Sequence, residues 1–220
     1  MSSANAPTLR ERKRLRTRRA LVEAAMELFE RRGYEATTIA DITAAADVGA
    51  RTFFSYFASK EELLFPEADA RVQATLDALA ARGPHDRPAD VLLAALVAVD
   101  EAGHDMVGGQ AQLRMRLVQT VPAVRGRALQ VQLDAQREIA RALRLAYPDE
   151  LDDVKAGALV GAFVGAVTGA LQAIMDRNSP TDIDNGRALL REATDAALRP
   201  WRRDGPAESA GHDRSTQARA

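Results

Sequence analysis

The sequence contains no cysteine, which excludes both disulfide bonds and metal sites built on thiolates. Its three histidines, His85, His104 and His212, are isolated from one another in the chain. We therefore expect neither a bound metal nor a cofactor. The absence of cysteine also suits a reducing compartment, and we expect the protein to be cytoplasmic.

Motifs of catalysis are missing as well. The sequence has no glycine-rich phosphate loop, no serine, histidine and aspartate set, and no cluster of histidines with carboxylates. An enzyme is therefore not expected. The beginning of the chain has no apolar core segment, so we expect no signal peptide. Neither a strand pattern nor an internal repeat is visible, and the helical patterns that remain predict an all-α fold.

Charge is distributed unevenly along the chain. The net charge is −1, but residues 1–20 contain seven Lys or Arg and one Glu and so carry +6, while the remaining 200 residues carry −7. A basic segment on an acidic body favours a polyanionic partner such as nucleic acid. A solvated basic tail would explain the same composition, so this feature alone does not decide.

Two short helical patterns lie between Thr37 and Leu63. Either Thr37 or Thr38 can cap the first, because a threonine hydroxyl accepts a bond from a free amide of the first turn, and Asp41 suits the positive helix end. The apolar positions of this helix recur at helical spacing: Ile39, Ile42 and Ala46. The segment Asp47–Gly49 then interrupts the pattern as a turn.

A second helix begins at Ala50. Phe53 and Phe57, four residues apart, should point inward, and the opposite side carries Ala50, Arg51, Phe54 and Ser55. A short helix with an outward arginine fits the major groove, where arginine can donate two hydrogen bonds to guanine O6 and N7. The two helices therefore predict a helix-turn-helix that binds double-stranded DNA.

A set of positions in this region falls in one register: Ala24-Ala25, Leu28-Phe29, Gly33-Tyr34, Thr37-Thr38, Ile42, Val48, Thr52, Tyr56-Phe57, Lys60 and Leu63. With these marks, the segment Thr17 to Phe65 resembles the DNA-binding domain of the TetR family of bacterial transcription regulators. Two positions depart from the family pattern. Asp47 stands where the family usually has glycine, and Gly49 stands where a polar cap is common. Both lie in the turn, so they bear on its geometry and on phosphate contact.

The resemblance implies a set of DNA contacts. Phosphates should be contacted by Thr37, Thr38, Thr52, Tyr56 and Lys60. Arg51 is the best candidate for reading bases, with Ala50 and Phe54 packing on thymine methyl groups. Gly49 and Ser55 complete the expected DNA-binding set. Two alternatives stay open, because Tyr56 could be a packed aromatic and Phe54 could be buried against the first helix.

The helical patterns and the resemblance together predict about nine helices in two domains. We expect a disordered N-terminus at 1–9, a three-helix helix-turn-helix domain at 10–62, a larger helical ligand-binding and dimerisation domain at 63–202, and a disordered tail at 203–220. The first firm helix is predicted at Thr17–Arg32. A helix capped by Ser59 should begin near Lys60 and break at Pro66.

The stretch Ala156–Met175 has no charge and carries a glycine every fourth residue: Gly157, Gly161, Gly165 and Gly169. Its length allows a membrane span, but half of it is glycine or alanine and it lies between charged helices, so we do not expect membrane insertion. It could instead be a core helix packed closely by its own chain, or a helix at a subunit interface. We favour both together, because each glycine costs a helix up to ~1 kcal/mol and close packing can outweigh that cost.

The resemblance also implies a function. Related proteins are homodimers whose last two long helices form a four-helix interface, here Ala156–Asn178 and Asp182–Arg199, with Leu189 and Leu190 added to the glycines as interface residues. Most repress transcription until a small-molecule effector enters the regulatory domain. We expect a pocket lined by Met106, Met115, Gln119 and Phe163. A transcriptional activator of the same family, or a helical protein without DNA-binding function, are the alternatives.

Overall fold

The computed structural model describes residues 8–102, 106–177 and 183–202. Within these residues the chain forms nine α-helices and two short 3-10 helices and has no strand, which confirms the all-α prediction. The α-helices are α1 (Leu9–Arg32), α2 (Ile39–Ala45), α3 (Ala50–Phe54), α4 (Ala68–Ala81), α5 (Pro88–Glu101), α6 (Gly109–Thr120), α7 (Pro122–Ala146), α8 (Asp153–Asp176) and α9 (Ile183–Leu198). The 3-10 helices are Glu61–Leu64 and Arg199–Trp201. The tail expected to be disordered at 203–220 lies outside the described residues, as does the N-terminus before Thr8.

Helix α1 begins well before the predicted start at Thr17. The Thr8 hydroxyl accepts a hydrogen bond from the Glu11 amide at 3.2 Å, and the Glu11 carboxylate accepts one from the Thr8 amide at 2.7 Å. This capping box satisfies donors that the first turn would otherwise leave open. The basic run Arg10–Arg19 is therefore helical, and Leu9, expected in the disordered N-terminus, is the first residue of the helix.

Helices α1, α2 and α3 pack around one apolar core. Leu21, Ala25 and Phe29 of α1 meet Ile42 of α2 and Phe53 of α3, and all five side chains are buried. We call residues 8–65 the head.

Helix α2 has the cap that its sequence predicts. The Thr38 hydroxyl accepts from the Asp41 amide at 3.1 Å, and the Asp41 carboxylate accepts from the Thr38 amide at 2.9 Å. Hydrogen bonds from the Thr38 side chain and amide hold the pKa of Asp41 below its usual value. The carboxylate thus stays ionised at the positive end of the helix.

Asp47, between α2 and α3, has a φ of 53°. This left-handed conformation is open to glycine and is tolerated by aspartate better than by most other residues. The turn therefore explains why glycine suits this position and why aspartate can replace it.

The connection from the head to α4 differs from the predicted helix. Glu61–Leu64 is a 3-10 helix, its preceding residue is Lys60, and no side chain caps it, so the cap predicted at Ser59 is wrong. The break at Pro66 is confirmed, since α4 begins only at Ala68. Leu63 and Leu64 are buried in the core of the head.

Helices α4 to α9, which we call the body, enclose a second core. Leu92, Leu143, Leu159, Val160 and Leu198 are among its fully buried side chains. Two prolines set helix boundaries there, because proline at the first helical position needs no amide partner. Pro88 opens α5, and Pro122, two residues after the last residue of α6, opens α7.

The glycines of α8 are not packed by their own chain. Gly157, Gly165 and Gly169 are exposed and Gly161 is half-buried. A Cβ atom added at any of the four meets nothing within 4 Å. The part of the prediction that placed them in close packing inside the protomer is therefore wrong, and the glycine face is open.

Helix α8 is also long and apolar enough to cross a membrane, with a mean hydropathy of 1.8 in its most apolar window. It is the one such helix among the described residues, and 22% of that window is buried inside the protomer. Length and composition alone are weak evidence for a span, since an apolar helix of a soluble protein has the same properties.

Apolar residues of α7, α9 and the second 3-10 helix differ in their exposure. Leu190 of α9, assigned to the subunit interface, is buried in the protomer core, so its interface role is corrected, and Leu189 is half-buried against the same core. Trp201, the last residue of the second 3-10 helix, is 37% exposed. In α7, Leu129, Leu133 and Leu145 are exposed.

The cap of α2 can be tested by Thr38→Ala. The substitution removes the hydroxyl that accepts the Asp41 amide, and we expect the free energy of unfolding to fall by ~1 kcal/mol in denaturant titrations. Thr38→Ser is the matched control, because serine keeps the hydroxyl and caps helices as well. Equal stability of the alanine and serine variants would contradict a role for this hydroxyl.

Candidate nucleic-acid interface and cavity

The burial of Phe53 fixes which side of α3 faces outward. Phe53 is fully buried, and Phe57, one turn later, is buried beside it with ring centroids 5.9 Å apart. The opposite side is exposed: Gly49, Ala50, Arg51, Phe54 and Ser55. The rotation of α3 is thus the one predicted from its sequence.

Phe54 is not buried against α1. Its side chain is 57% exposed and meets Phe53 edge-on, with ring centroids 5.2 Å apart. The alternative that placed it in the core is wrong. An exposed aromatic ring next to Arg51 gives the outer face of α3 both an apolar and a cationic group.

The basic segment of α1 lies beside the end of α3. The Arg14 guanidinium lies 5.9 Å from the ring centroid of the half-buried Tyr56. Arg18 lies over the Phe57 ring at 4.7 Å and donates to the Pro66 carbonyl at 2.8 Å. From the sequence alone, only a basic run is visible here. Arg18, which braces the head, cannot be distinguished there from the exposed arginines around it.

Thr37, predicted to contact a phosphate, is 1% exposed. Its hydroxyl donates to the Gly33 carbonyl at 2.8 Å, inside the head. A phosphate cannot reach this group, so the prediction for Thr37 is corrected, and its role is to hold the loop between α1 and α2. Thr38 is exposed and Thr52 is half-buried, so their phosphate contacts stay predictions.

Lys60, also predicted to contact a phosphate, is bonded within the head. Its ammonium donates to the carbonyls of Tyr34 and Thr37, each at 2.8 Å, and lies 3.9 Å from the Tyr34 ring centroid. The side chain is half-buried rather than buried. Lys60 therefore has a bracing role, and contact with a phosphate stays a prediction.

Tyr34 joins the same loop to the first 3-10 helix. Its hydroxyl donates to the Glu61 carboxylate. Burial, then this hydrogen bond, raise the pKa of Tyr34, so the phenol stays protonated. Burial alone would raise the pKa of Glu61, but hydrogen bonds from Tyr34 and Ser59 lower it below its usual value. This pair and Lys60 bond the loop between α1 and α2 to residues 60 and 61 at the start of the first 3-10 helix.

The body contains a cavity of about 590 Å³ between α4, α5, α6, α7 and α8. All four residues predicted to line a pocket lie on its wall: Met106, Met115, Gln119 and Phe163. Most of the remaining wall is aliphatic. The wall also carries three arginines that were not among the predicted pocket residues: Arg71, Arg114 and Arg125. Its size lies within the range of about 300–1,000 Å³ that is usual for small-molecule sites.

Helix α6 separates the cavity from the head and touches both. Leu113 and Leu117 are buried in the core of the head. Met115 and Val118 line the cavity. Because the two sets share one helix, a shift of α6 caused from the cavity must disturb the packing of the head.

Polar bonds reinforce this junction. The Arg114 Nε atom, on α6, donates to the Leu64 carbonyl at 2.6 Å. Arg116 pairs with Glu30 of α1 at 3.0 Å, and Arg127 of α7 pairs with Glu62 at 3.0 Å. Each of these bonds joins an arginine of the body to a carbonyl or carboxylate of the head. The body is thereby bonded both to α1 and to the first 3-10 helix.

Comparison with known proteins agrees with this geometry. Residues 21–65 match the family described as "Bacterial regulatory proteins, tetR family". The chain is 33% identical over 214 residues to the HTH-type transcriptional regulator TcmR of Streptomyces glaucescens, a match that covers 93% of this chain and 94% of the relative.

Solved structures show the same fold. One is a TetR-family transcriptional regulator from Syntrophomonas wolfei, with 15% identity, a TM-score of 0.57, and coverage of 83% of this chain and 95% of that one. Another is Thermus thermophilus FadR, with 21% identity, a TM-score of 0.55, and coverage of 88% and 99%. Residues 21–65 match the family, and the match to TcmR covers nearly the whole chain. This protein therefore belongs to the TetR family of DNA-binding transcriptional regulators.

Proposed function

We propose that the protein is a homodimeric repressor that binds a palindromic operator and is released from it by a small-molecule effector. The observation that carries this proposal is the outer face of α3, where Arg51 and Phe54 project from a helix whose rotation is fixed by the buried Phe53. Exposed arginine reads guanine edges and exposed aromatic groups pack on thymine methyls.

A dimer follows from the size of that face. The α3 helix spans only Ala50–Phe54, so one copy reads few base pairs, and two-fold symmetry doubles the contacts on a palindrome. The open glycine face of α8 supports an interface between copies, since its small residues let helices approach closely. An apolar helix that is only partly buried in the protomer also favours a protein partner.

Release by an effector is supported by the cavity and by α6. The cavity has the volume of a small-molecule site, and α6 forms both its wall and part of the head core. The fold is shared with Thermus thermophilus FadR, a TetR-family repressor solved in complex with lauroyl-CoA. The sense of regulation depends on where the operator lies relative to the promoter, so an activator is the second candidate.

The family and the relative that match this chain are transcriptional regulators. We propose a non-enzymatic regulator that acts in the cytoplasm, where its DNA is found. Neither a metal nor a cofactor is part of the proposed mechanism.

The experiment that tests the function is selection of bound genomic fragments by the purified protein. A regulator enriches fragments that share one palindromic element, and the genes beside it indicate the effector class. Recovery of fragments without a common element, at every salt concentration, would contradict operator binding.

Arg51→Ala tests base reading. The variant should lose ~1–3 kcal/mol of binding free energy on the selected operator and should discriminate less between operator variants. Fluorescence anisotropy with the operator and a scrambled duplex measures both effects. Arg137→Ala, an exposed arginine in α7, is the control for loss of charge alone. Equal losses on operator and scrambled DNA would assign Arg51 to phosphate contact instead.

Lys60→Ala tests the two roles of that ammonium separately. Loss of the bonds to Tyr34 and Thr37 should lower the free energy of unfolding by ~1.5–3 kcal/mol, the range for hydrogen bonds to charged groups. A phosphate contact predicts in addition weaker binding to all duplexes and a flatter salt dependence. Lower stability with an unchanged salt slope would mean that Lys60 only braces the head.

Gly165→Leu tests the dimer interface. The added side chain meets nothing within the protomer, so the fold should persist, while two copies can no longer approach closely along α8. We expect sedimentation velocity to show monomers and operator binding to be lost. Gly126→Leu is the matched control, since this glycine of α7 is equally open. A dimer in both variants would contradict an interface along the glycine face.

A further inference from the structure

Helix α1 starts well outside the core of the head. Its first residue is Leu9, but its first buried residue is Leu21, so residues 9–19 form about three helical turns before the core. We call these residues the arm. The arm gains little from burial, since Leu9 is 77% exposed and Leu15 is 60% exposed. It carries seven lysines or arginines and one glutamate, a charge of +6, which favours a polyanionic partner.

Two arginines of the arm fix its position on the head. The Arg14 guanidinium lies 5.9 Å from the ring centroid of Tyr56. The Arg18 guanidinium lies 4.7 Å from the ring centroid of Phe57. Both rings follow closely after α3, which ends at Phe54. The arm therefore lies beside the C-terminal end of α3. An aromatic ring has no formal charge, so these contacts orient the two cations and do not cancel their charge.

The helical period divides the charges of the arm between two sides of α1. Arg10, Arg14 and Arg18 recur every fourth residue and form one row, which faces the end of α3. Arg12 and Arg16 are each two residues away from members of that row, a rotation of about 200°, and so point to the other side. All of these arginines except Arg18 are exposed. Arg10 thus extends the row one turn beyond Arg14.

From this placement we propose that Arg10 and Arg14 bind backbone phosphates beside the base pairs that α3 reads, while Arg12 and Arg16 face away from the DNA. The proposal rests on the proposed operator binding and names the charges of the arm that belong to that site. Guanidinium and phosphate are complementary in charge and in hydrogen-bond geometry.

The spacing of the two arginines suits a DNA strand. Arg10 and Arg14 are about 6 Å apart along the axis of α1, at about 1.5 Å per residue. A DNA strand carries one phosphate for about every 3.4 Å of the duplex axis. The row therefore matches phosphates one or two nucleotides apart. These contacts carry no sequence information of their own, and they add affinity and fix the register of α3.

Four single variants separate the two sides of the arm. Arg10→Gln and Arg14→Gln should each weaken binding to operator and scrambled duplex alike and flatten the slope of log K against log [salt] by about 1 for each copy bound. Arg12→Gln and Arg16→Gln are the matched controls, since they lose the same charge in the same turns and keep a good helix former. Fluorescence anisotropy at several salt concentrations measures all four slopes. Equal slopes in the four variants, whether flattened or unchanged, would overturn the proposal.

Arg14 also contacts Tyr56, so the loss of its side chain affects the packing of the head as well. Arg14→Lys keeps a cation at this position and should retain the wild-type slope. Arg10 lies one turn away from that contact and tests the arm independently of it. Circular dichroism and denaturant titration show whether each variant keeps α1 and the head folded. A wild-type slope in a folded Arg10→Gln variant would overturn the proposal.

Neutral methylphosphonate linkages, placed one at a time in the operator, locate the contacts. Wild-type protein should lose affinity at the linkages that it contacts, and Arg10→Gln should be insensitive at one linkage where the wild type is sensitive, because the two losses are not additive for groups in contact. Arg12→Gln should keep the full wild-type pattern. An Arg10→Gln variant that is as sensitive as the wild type at every linkage would overturn the contact.

Wild-type binding to operator and scrambled duplex is recorded first. Failure to prefer the operator would refute operator recognition alone, because the slopes of the four variants can still be compared on scrambled DNA. A clear preference for the operator, together with equal slopes in the four variants, would refute the arm alone.

Discussion

The rest of the structure depends on the burial of Phe53. This side chain is fully buried in the core of the head. Rotation of α3 would therefore expose an aromatic ring and open a cavity in the head, and the loss of a buried Phe costs about 3–5 kcal/mol. The outward direction of Arg51 and Phe54 follows from that constraint. A five-residue helix has little stability of its own, and its orientation is therefore supplied by tertiary packing.

The proposed release by an effector depends on packing that the head and the body share. Leu113 and Leu117 belong to the core of the head although they lie in the body, and the next residues of the same helix form the cavity wall. A packed core responds to a displaced helix by rearranging rather than by stretching, because interiors are close-packed. The contacts that hold α3 in place therefore also respond to a molecule that fills the cavity.

Local signals in the sequence were sufficient for a threonine cap at the start of α2, the break at Pro66 and the inward and outward faces of α3. They failed where a residue's role is set by a partner distant in sequence. In the sequence Thr37 resembles an exposed helix cap, but its hydroxyl donates a hydrogen bond to the backbone carbonyl of Gly33. Lys60 resembles a phosphate ligand, but it is held by carbonyls about 25 residues earlier, a contact that only the loop between α1 and α2 creates. The glycines of α8 suggested close packing, yet spacing alone could not show that this face lies outside the protomer.

The central claim is that α3 and the basic segment of α1 form the DNA-contacting face of this protein. Amide hydrogen exchange of the free protein and of its complex with a selected duplex measures this directly, residue by residue. We predict slower exchange on DNA binding at residues 50–57 and at the first turns of α1 and α2, with little change in α8. Unchanged exchange at 50–57, with protection appearing on another face, would contradict the account.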